Sequence, residues 1–150
     1  MNLTDTVMTV LKTKPEAIYT IASDATVYDA LQLMSDRQVG SLLVLADNGE
    51  LEGIVSERDY ARKVILQGRS SKETNVREIM GSGSLSVTTM HTVDECMRMM
   101  TVHRVRHLPV VDGTHICGVI SMGDLVNFII SAQEEEIAHL HAYVAGVYPR

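Results

Sequence analysis

The stretch Gly53-Ile54-Val55-Ser56-Glu57-Arg58-Asp59 returns later in the chain as Gly118-Val119-Ile120-Ser121-Met122-Gly123-Asp124. Both read as glycine, two β-branched residues, serine, two variable positions and aspartate. The copies stay in step upstream at an offset of 66 positions, which becomes 65 at the glycines because one residue is dropped in a turn. The matched pairs upstream are Thr26 and Thr92, Val27 and Val93, Met34 and Met100, Val39 and Val105, Leu42 and Leu108, and Val44 and Val110. The chain is therefore two copies of one unit, which we expect to pack face to face and to form paired clefts along the seam.

The composition is that of an ordinary globular protein, with 150 residues, 45% hydrophobic residues and a formal net charge of −6. The length is sufficient for one core, but each half of roughly 65 residues would be marginal alone, so the halves should fold together. The acidic balance argues against a nucleic-acid surface. The local basic run His103-Arg104-Val105-Arg106-His107 suits a small anion better than a duplex.

The sequence predicts a cytoplasmic protein without a membrane partner. No run approaches the roughly 20 apolar residues that span a bilayer, and the start carries no signal-peptide pattern. Cys96 and Cys117 are far apart and form no C-x-x-C, so they are expected to be buried or reduced thiols.

The first copy predicts the order β-α-β-β-α. Thr26 fits a helix N-cap with Asp29 as its capping-box partner. Upstream, residues 1–13 predict an amphipathic helix or turn with Val7, Leu11 and Val10 inward. The predicted elements are a β-rich stretch at 18–21, a helix over 27–37, strands over 41–45 and 51–56 around the turn Asp47-Asn48-Gly49, and a helix over 58–67 ended by Gly68.

The second copy predicts the same order. Thr92 opens a helix with Glu95 as its capping partner, and Ile137, Leu140, Tyr143 and Val144 at helical spacing suggest a last helix that packs on the module or on a partner. The other predicted elements are strands over 84–87, 108–111 and 116–121 and a helix over 124–131. We expect a first unit over residues 1–68, a connector and second unit over 69–132, and a helical tail over 133–150.

These residues resemble the cystathionine-β-synthase (CBS) domain family. A β-α-β-β-α unit that ends in Gly-h-h-Ser/Thr-x-x-Asp, where h is hydrophobic, is typical of a CBS domain, and two in tandem resemble a CBS pair, or Bateman module. The resemblance covers roughly residues 10–132 and is most similar to stand-alone bacterial pairs. It implies an α/β (α+β) fold with two units related by pseudo-twofold symmetry, and a homodimer formed through the helices.

The resemblance also implies an adenosine-containing ligand such as AMP, ADP, ATP, S-adenosylmethionine or NAD(H). An aspartate carboxylate can accept hydrogen bonds from both ribose hydroxyls, and a serine at a helix start can donate to a phosphate. Carried over by position, one cleft would use Ser56, Arg58 and Asp59 with Leu85, Val105, Arg106 and His107. The other would use Ser121, Gly123 and Asp124 with Lys14, Tyr19, Val39 and Gly40.

The two clefts are expected to differ in charge. Arg58 corresponds to Gly123, and Arg106-His107 corresponds to Gly40-Ser41. Because the cations then cluster at Asp59, that cleft is predicted to prefer the more highly phosphorylated or dinucleotide ligand, and the Asp124 cleft a compact monophosphate.

Other interpretations stay open for these residues. Ser-x-x-Asp is also a capping-box signature, so Ser56 and Ser121 could serve only as N-caps. His103 and His107 lack the Glu of a His-Glu-x-x-His pattern, and His139 and His141 point apart on a helix, so no metal is expected.

Three classes of function follow from the sequence. The first is a regulatory nucleotide sensor acting on an unidentified effector protein. The second is a ligand-independent scaffold or protein-interaction subunit, which the similar plant organelle proteins make credible because they look like regulators of thioredoxin systems. The third is an enzyme, which the sequence does not favour, because it offers no nucleophile, base and acid set and no Walker loop.

Overall fold

The computed structural model describes residues 4–13, 18–82 and 85–144. The elements are α1 (Val7–Leu11), β1 (Thr20–Ala22), α2 (Val27–Arg37), β2 (Ser41–Leu45), β3 (Leu51–Ser56), α3 (Glu57–Tyr60), β4 (Gly81–Ser82), α4 (Val93–His103), β5 (His107–Asp112), β6 (His115–Ser121) and α5 (Met122–Val144). A π-helical turn over Ala61–Ile65 continues α3, and a 3-10 turn covers Val76–Glu78. The predicted α/β class with two β-α-β-β-α units is therefore confirmed.

Local sequence signals set the ends of the two long helices that follow the first strand of each copy. The Thr26 hydroxyl accepts the Asp29 N–H at 3.1 Å. Thr92 and Glu95 form a complete capping box, with bonds of 3.0 and 3.2 Å. Both helices end on a left-handed residue with φ 55°, Gln38 after α2 and Arg104 after α4, at equivalent positions of the repeat.

The strands form a four-stranded and a two-stranded sheet. In the first, β1 pairs parallel with β2, and β2–β3 and β3–β4 pair antiparallel. In the second, β5 pairs with β6. Ile21 lies opposite Val44 in the β1–β2 ladder, and their repeat equivalents Val87 and Val110 form an isolated parallel bridge. The second copy thus keeps this pairing as a single bridge.

The described residues divide into two compact units. The central unit contains residues 18–82, 85–87 and 109–119, and the terminal unit contains residues 4–13, 88–108 and 120–144. The core of the central unit consists of Val27, Ala30, Met34, Leu42, Val44, Val55, Val64, Val76 and Ile79. The terminal unit buries the repeat equivalents of five of these residues, Val93, Cys96, Met100, Leu108 and Ile120, together with Val7, Val10 and Leu125.

The terminal unit includes the short helix from the start of the chain. The Val7 N–H donates to the His91 carbonyl at 2.8 Å, and the Val93 N–H donates to the Asp5 carbonyl at 2.9 Å. These bonds hold α1 against the start of α4, in the second copy. Helix α1 therefore packs on the second copy, although the first copy follows it directly in the sequence.

The central unit contains the equivalent arrangement. The Val76 N–H donates to the Ala25 carbonyl at 2.8 Å, and the Val27 N–H donates to the Thr74 carbonyl at 2.8 Å. The buried residues Val76 and Ile79 take the places that Val7 and Val10 take in the terminal unit. The repeat therefore extends upstream to residues 7–11 and 76–80.

Three local predictions were wrong in detail. The strand over 84–87 is absent from the described part, where residues 85–87 contribute only the bridge at Val87, and a short strand forms at Gly81–Ser82 instead. The helix expected over 58–67 begins at Glu57 and becomes a π-helical turn after Tyr60. The two helices expected over 124–131 and 137–144 are one continuous α5, because no glycine or proline interrupts the segment.

Candidate functional site

The Ser56–Asp59 turn joins β3 to α3 in the central unit. The Asp59 Oδ2 accepts the Ser56 N–H at 2.9 Å and the Ser56 hydroxyl at 3.1 Å, and the Ser56 Oγ accepts the Asp59 N–H at 3.3 Å. These bonds form a capping box in which both side chains are half-buried. The capping interpretation of this Ser-x-x-Asp is thus confirmed, and the same bonds fix the orientation of the Asp59 carboxylate.

The Ser121–Asp124 turn repeats this geometry between β6 and α5 in the terminal unit. The Asp124 Oδ2 accepts the Ser121 N–H at 2.8 Å, and the Ser121 Oγ accepts the Asp124 N–H at 3.0 Å. Both residues are half-buried. The repeated motif therefore folds into the same capped turn twice.

Each turn is also held by the residue that precedes the adjacent strand. The Glu57 N–H donates to the Gly40 carbonyl at 3.1 Å, and the equivalent Met122 N–H donates to the Arg106 carbonyl at 2.9 Å. Gly40 and Arg106 therefore lie beside the turn of their own copy. A Cβ added at Gly40 would meet no atom within 4 Å, so that position is open in the central unit.

Lys63 is a residue near the Asp59 turn that sequence reasoning did not single out. Its Nζ lies 3.6 Å from the Asp59 Oδ1 and donates to the Ile79 carbonyl at 2.9 Å. The Asp59 side chain is 22% exposed and that of Lys63 is 49% exposed. The four-residue spacing from Asp59 was the available sequence signal. The equivalent position of the second copy is Phe128.

Asp124 lies at the edge of a groove of about 610 Å³ within the terminal unit. Helices α1 and α5 supply its walls. The lining residues are Asp5, Thr9, Val10, Thr13, Asp124, Asn127, Phe128, Ser131, Ala132 and Glu135. Within residues 4–13 and 124–135, the lining side chains carry three carboxylates, three hydroxyls and no cation. The described side chains of this groove are therefore acidic and hydroxyl-bearing, whereas Lys63 lies beside Asp59.

The other predicted site residues are distributed over both units. Tyr19, Val39 and Leu85 lie in the central unit with Ser56, Arg58 and Asp59. The Tyr19 carbonyl accepts the Leu43 N–H at 3.1 Å, and its ring lies 5.3 Å from the Arg37 Cζ.

In the terminal unit, Val105 and His107 flank Arg106, and Gly123 follows Met122 in the capped turn. Lys14 lies outside the described residues. The grouping of these residues into two clefts, which came from the family resemblance, stays a prediction.

The described residues contain no group of three or more His, Cys, Asp or Glu side chains that could hold a metal ion. Cys96 is fully buried, and burial, reinforced by the nearby Glu95 carboxylate, raises the pKa of its thiol to about 11. A thiol with so high a pKa is a poor nucleophile at neutral pH.

Two repeat copies that each carry the same capped Ser-x-x-Asp turn after a strand define a tandem CBS pair. The chain belongs to the CBS domain family, since the model of the CBS domain matches residues 7–65 and 76–131. The two matches begin at Val7 and Val76, which are also the first residues of the upstream part of the repeat in the structure.

Similar proteins come from plants, bacteria and archaea. The mitochondrial CBS domain-containing protein CBSX3 of Arabidopsis thaliana is 42% identical over 130 residues, which cover 84% of this chain and 63% of that protein. This chain thus spans less than two thirds of that relative. The solved structure of a protein with CBS domains from Burkholderia ambifaria has a TM-score of 0.80 and 51% identity, over 85% of this chain and 96% of the other.

A CBS domain protein from Pyrobaculum aerophilum, complexed with AMP, has a TM-score of 0.71. It is 21% identical and covers 79% of this chain and 88% of its own, and at this identity the likeness shows the fold alone. No helix within residues 4–13, 18–82 and 85–144 is long and apolar enough to cross a membrane. The cytoplasmic location stays a prediction.

Proposed function

We propose that the chain is a regulatory module that binds an adenosine-containing ligand, such as AMP, ADP, ATP or NAD(H), and catalyses no reaction. The observation that carries the proposal is the repeated capped turn. The same bond from serine N–H to aspartate Oδ2 orients a half-buried carboxylate in each unit, at 2.9 Å for Asp59 and 2.8 Å for Asp124.

The aspartate has the acceptor capacity for a ribose. An ionised carboxylate offers about four lone-pair sites on its two oxygens. The capping bonds of Asp59 use Oδ2, and Oδ1 faces Lys63. In the proposal, the two ribose hydroxyls donate to the remaining lone pairs of the carboxylate. Charge-assisted bonds of this kind are the stronger class of hydrogen bond, so they would give selectivity for ribose over deoxyribose.

The charges near the two aspartates support different ligands at the two turns. A phosphate near Asp59 would have Lys63 close by and Arg58 one residue away. A phosphate placed in the groove beside Asp124 would face the carboxylates of Asp5 and Glu135. The Asp59 turn is therefore proposed to take the more phosphorylated ligand, and the Asp124 turn a ligand with less negative charge.

The proposed mechanism is a shift of population. A ligand that binds one conformation of the module more tightly raises the share of that conformation, and an effector protein reads the change. The ligand class is supported by the AMP complex of the Pyrobaculum aerophilum protein, which shares the fold. A homodimer and the identity of the effector stay predictions from the family resemblance.

Ligand-induced thermal stabilisation tests the proposal. The panel is AMP, ADP, ATP, NAD, NADH, S-adenosylmethionine and GTP, and the proteins are the wild type, Asp59→Asn and Asp124→Asn. A ligand at about 100 times its Kd adds about 2.7 kcal/mol per site, which corresponds to roughly 5–10 °C here. We expect shifts with adenosine ligands only, reduced in at least one variant.

Glu95→Gln is the matched control. It exchanges an acid for an amide in the Thr92–Glu95 capping box, which belongs to neither Ser-x-x-Asp turn. Each ligand-induced shift is measured against the same variant without ligand, so a general loss of stability cancels. No shift with any adenosine ligand, or an equal reduction in Glu95→Gln, would contradict the proposal.

A further inference from the structure

Lys63 joins the Asp59 turn to the segment that leads into the second copy. Its Nζ lies 3.6 Å from the Asp59 Oδ1 and donates to the Ile79 carbonyl at 2.9 Å. Asp59 lies shortly after the end of β3, and Ile79 lies shortly before the start of β4. Because β3 and β4 pair antiparallel, the lysine closes a ring of contacts that runs from β3 through α3 to β4 and back to β3.

A π-helical turn positions the lysine for these two contacts. The chain leaves the α-helical pattern over Ala61–Ile65, and the Leu66 N–H donates to the carbonyl of Ala61, five residues back, at 3.1 Å. Val64, next to the lysine, is fully buried in the core of the central unit and anchors the turn there. Turns of this kind occur frequently at functional sites. The local backbone is therefore arranged to hold the stem of Lys63 between Asp59 and Ile79.

The second copy has a different residue at this position. Phe128 takes the place of Lys63, and α5 is α-helical throughout Met122–Val144. A phenyl ring has no N–H group, so it cannot donate to a carboxylate or to a carbonyl. The lysine contact is therefore specific to the Asp59 turn.

The segment that accepts the bond from Lys63 is ordered by few backbone hydrogen bonds. We call residues 76–82 the β4 segment. The N–H groups of Ile79 and Met80 both donate to the Val76 carbonyl, at 3.1 and 3.0 Å. The strand itself pairs through Gly81 and Ser82 alone. Segments with few such bonds open locally at a lower free energy than the core, so one additional contact has a measurable effect on their order.

We propose that Lys63 couples the ligand at the Asp59 turn to the order of the β4 segment. The inference rests on the proposed function, because it requires a phosphorylated ligand at Asp59. An ammonium group and a phosphate have opposite charges, whereas a carbonyl is neutral, so the phosphate is the stronger acceptor. The Lys63 side chain is 49% exposed and its stem is flexible, so its ammonium group can move.

The coupling gives the two kinds of ligand opposite effects on the same bond. A phosphorylated ligand draws the ammonium group away from the Ile79 carbonyl, and the β4 segment then opens more often. Adenosine has no phosphate, so it leaves the bond from Lys63 in place. The β4 segment therefore reports the phosphorylation state of the ligand, which is the property that a regulatory module must pass on.

Amide hydrogen exchange of the full chain, followed by mass spectrometry, tests the coupling. Exchange of the β4 segment is measured in the ligand-free protein, with saturating ATP and with saturating adenosine, and calorimetric titration establishes binding. Strand β2, which pairs with β3, is the internal reference for general stability. ATP should speed exchange of the β4 segment at least about threefold relative to adenosine, as the loss of one hydrogen bond implies, and leave the exchange of β2 no faster.

Lys63→Met and Lys72→Met form a matched pair of variants. Lys72 is an exposed lysine of the same unit, and its Nζ lies 4.9 Å from the centroid of the Tyr28 ring. Lys63→Met should speed exchange of the β4 segment without ligand, and ATP should then change it no further. Lys72→Met should keep the response of the wild type to ATP. Circular dichroism checks that both variants fold, and the comparison of ATP with adenosine in the wild type needs no variant.

The outcomes separate this inference from the function on which it rests. Binding of ATP with equal exchange of the β4 segment in ATP and adenosine would overturn the coupling alone. A response to ATP that survives in Lys63→Met, or is lost equally in Lys72→Met, would do the same. Calorimetry that detects no binding of ATP would contradict the proposed function and the coupling together.

Discussion

The ammonium group of Lys63 lies 3.6 Å from the Asp59 carboxylate and donates to the Ile79 carbonyl at 2.9 Å. It thereby connects the turn at the end of β3 to the residue that directly follows the 3-10 turn at Val76–Glu78. The second copy has Phe128 at the equivalent position, and the described lining of the groove beside Asp124 carries carboxylates instead. The two copies thus share the geometry of the capped turn but differ in the charge around its aspartate.

Replacing Lys63 with methionine removes the ammonium charge but keeps an unbranched side chain of similar length. Lys63→Met removes a partly exposed ion pair and one bond to a backbone carbonyl, so the free energy of unfolding should fall by about 1 kcal/mol or less. The thermal shift caused by ATP should fall much more than the shift caused by adenosine, because only ATP presents phosphates to the lysine. Equal losses for both ligands would contradict the phosphate role.

Gly53 is expected to be required for packing rather than for ligand contact. A Cβ at Gly53 would overlap the Gly81 carbonyl oxygen and lie 2.9 Å from the Met80 Sδ, so Gly53→Ala must displace β4. Such overpacking costs about 1–3 kcal/mol. Gly40→Ala is the control, because a Cβ there meets nothing within 4 Å. Urea unfolding should separate the two variants, and equal stabilities would show that β4 moves without cost.

Short-range signals explain why much of the fold could be predicted from sequence. The caps of Thr26 and Thr92 involve residues only three positions away, so the starts of α2 and α4 follow from local sequence. The two hairpins could be predicted in the same way, because Gly49 and Gly113 end tight turns and adopt a positive φ. The Ser-x-x-Asp turns were also found because both partners are close in the chain.

Long-range packing explains what could not be predicted. The bond from Val7 to His91 joins distant parts of the chain, so the placement of α1 on the second copy leaves no local pattern. The groove beside Asp124 depends on that placement, and Thr9 and Thr13 were therefore missed. Strand β4 likewise depends on the close approach of Gly81 to Gly53.

The Thr92–Glu95 capping box should make stability depend on pH. The Thr92 backbone N–H and then its hydroxyl donate to the carboxylate and hold the pKa of Glu95 below its ordinary value of 4.5. A carboxyl with a lowered pKa stabilises the fold above its ordinary pKa, and this contribution disappears as the pH falls through the folded value. The wild type should therefore be more stable than Glu95→Gln at pH 7, with a smaller difference at pH 3.5.

Thermal unfolding at several pH values checks this expectation. Glu134→Gln serves as the control, since it removes the same charge from an exposed position within α5, far from a helix start. A stability difference between the wild type and Glu95→Gln that is the same at pH 7 and pH 3.5 would show that the ionised carboxylate adds nothing to the cap.

The left-handed residues after α2 and α4 should tolerate glycine well. Gln38 and Arg104 both have φ 55°, which costs a residue with a Cβ more than it costs glycine. Gln38→Gly and Arg104→Gly should each raise the free energy of unfolding by about 0.5–1 kcal/mol. Gln32→Gly, inside α2, should lower it by about the same amount. A loss of stability in the first two variants would mean that their side chains make contacts worth more than the backbone strain.

Calorimetric titration with AMP and with 2′-deoxy-AMP tests the role of the two aspartates most directly. A lost charge-assisted hydrogen bond is worth about 1.5–3 kcal/mol, so removal of the 2′-hydroxyl should weaken binding about tenfold or more. Asp59→Asn or Asp124→Asn should abolish this preference at the turn that binds AMP, while Glu95→Gln keeps it. Equal affinity of the wild type for AMP and 2′-deoxy-AMP would contradict the claim that these aspartates bind the ribose.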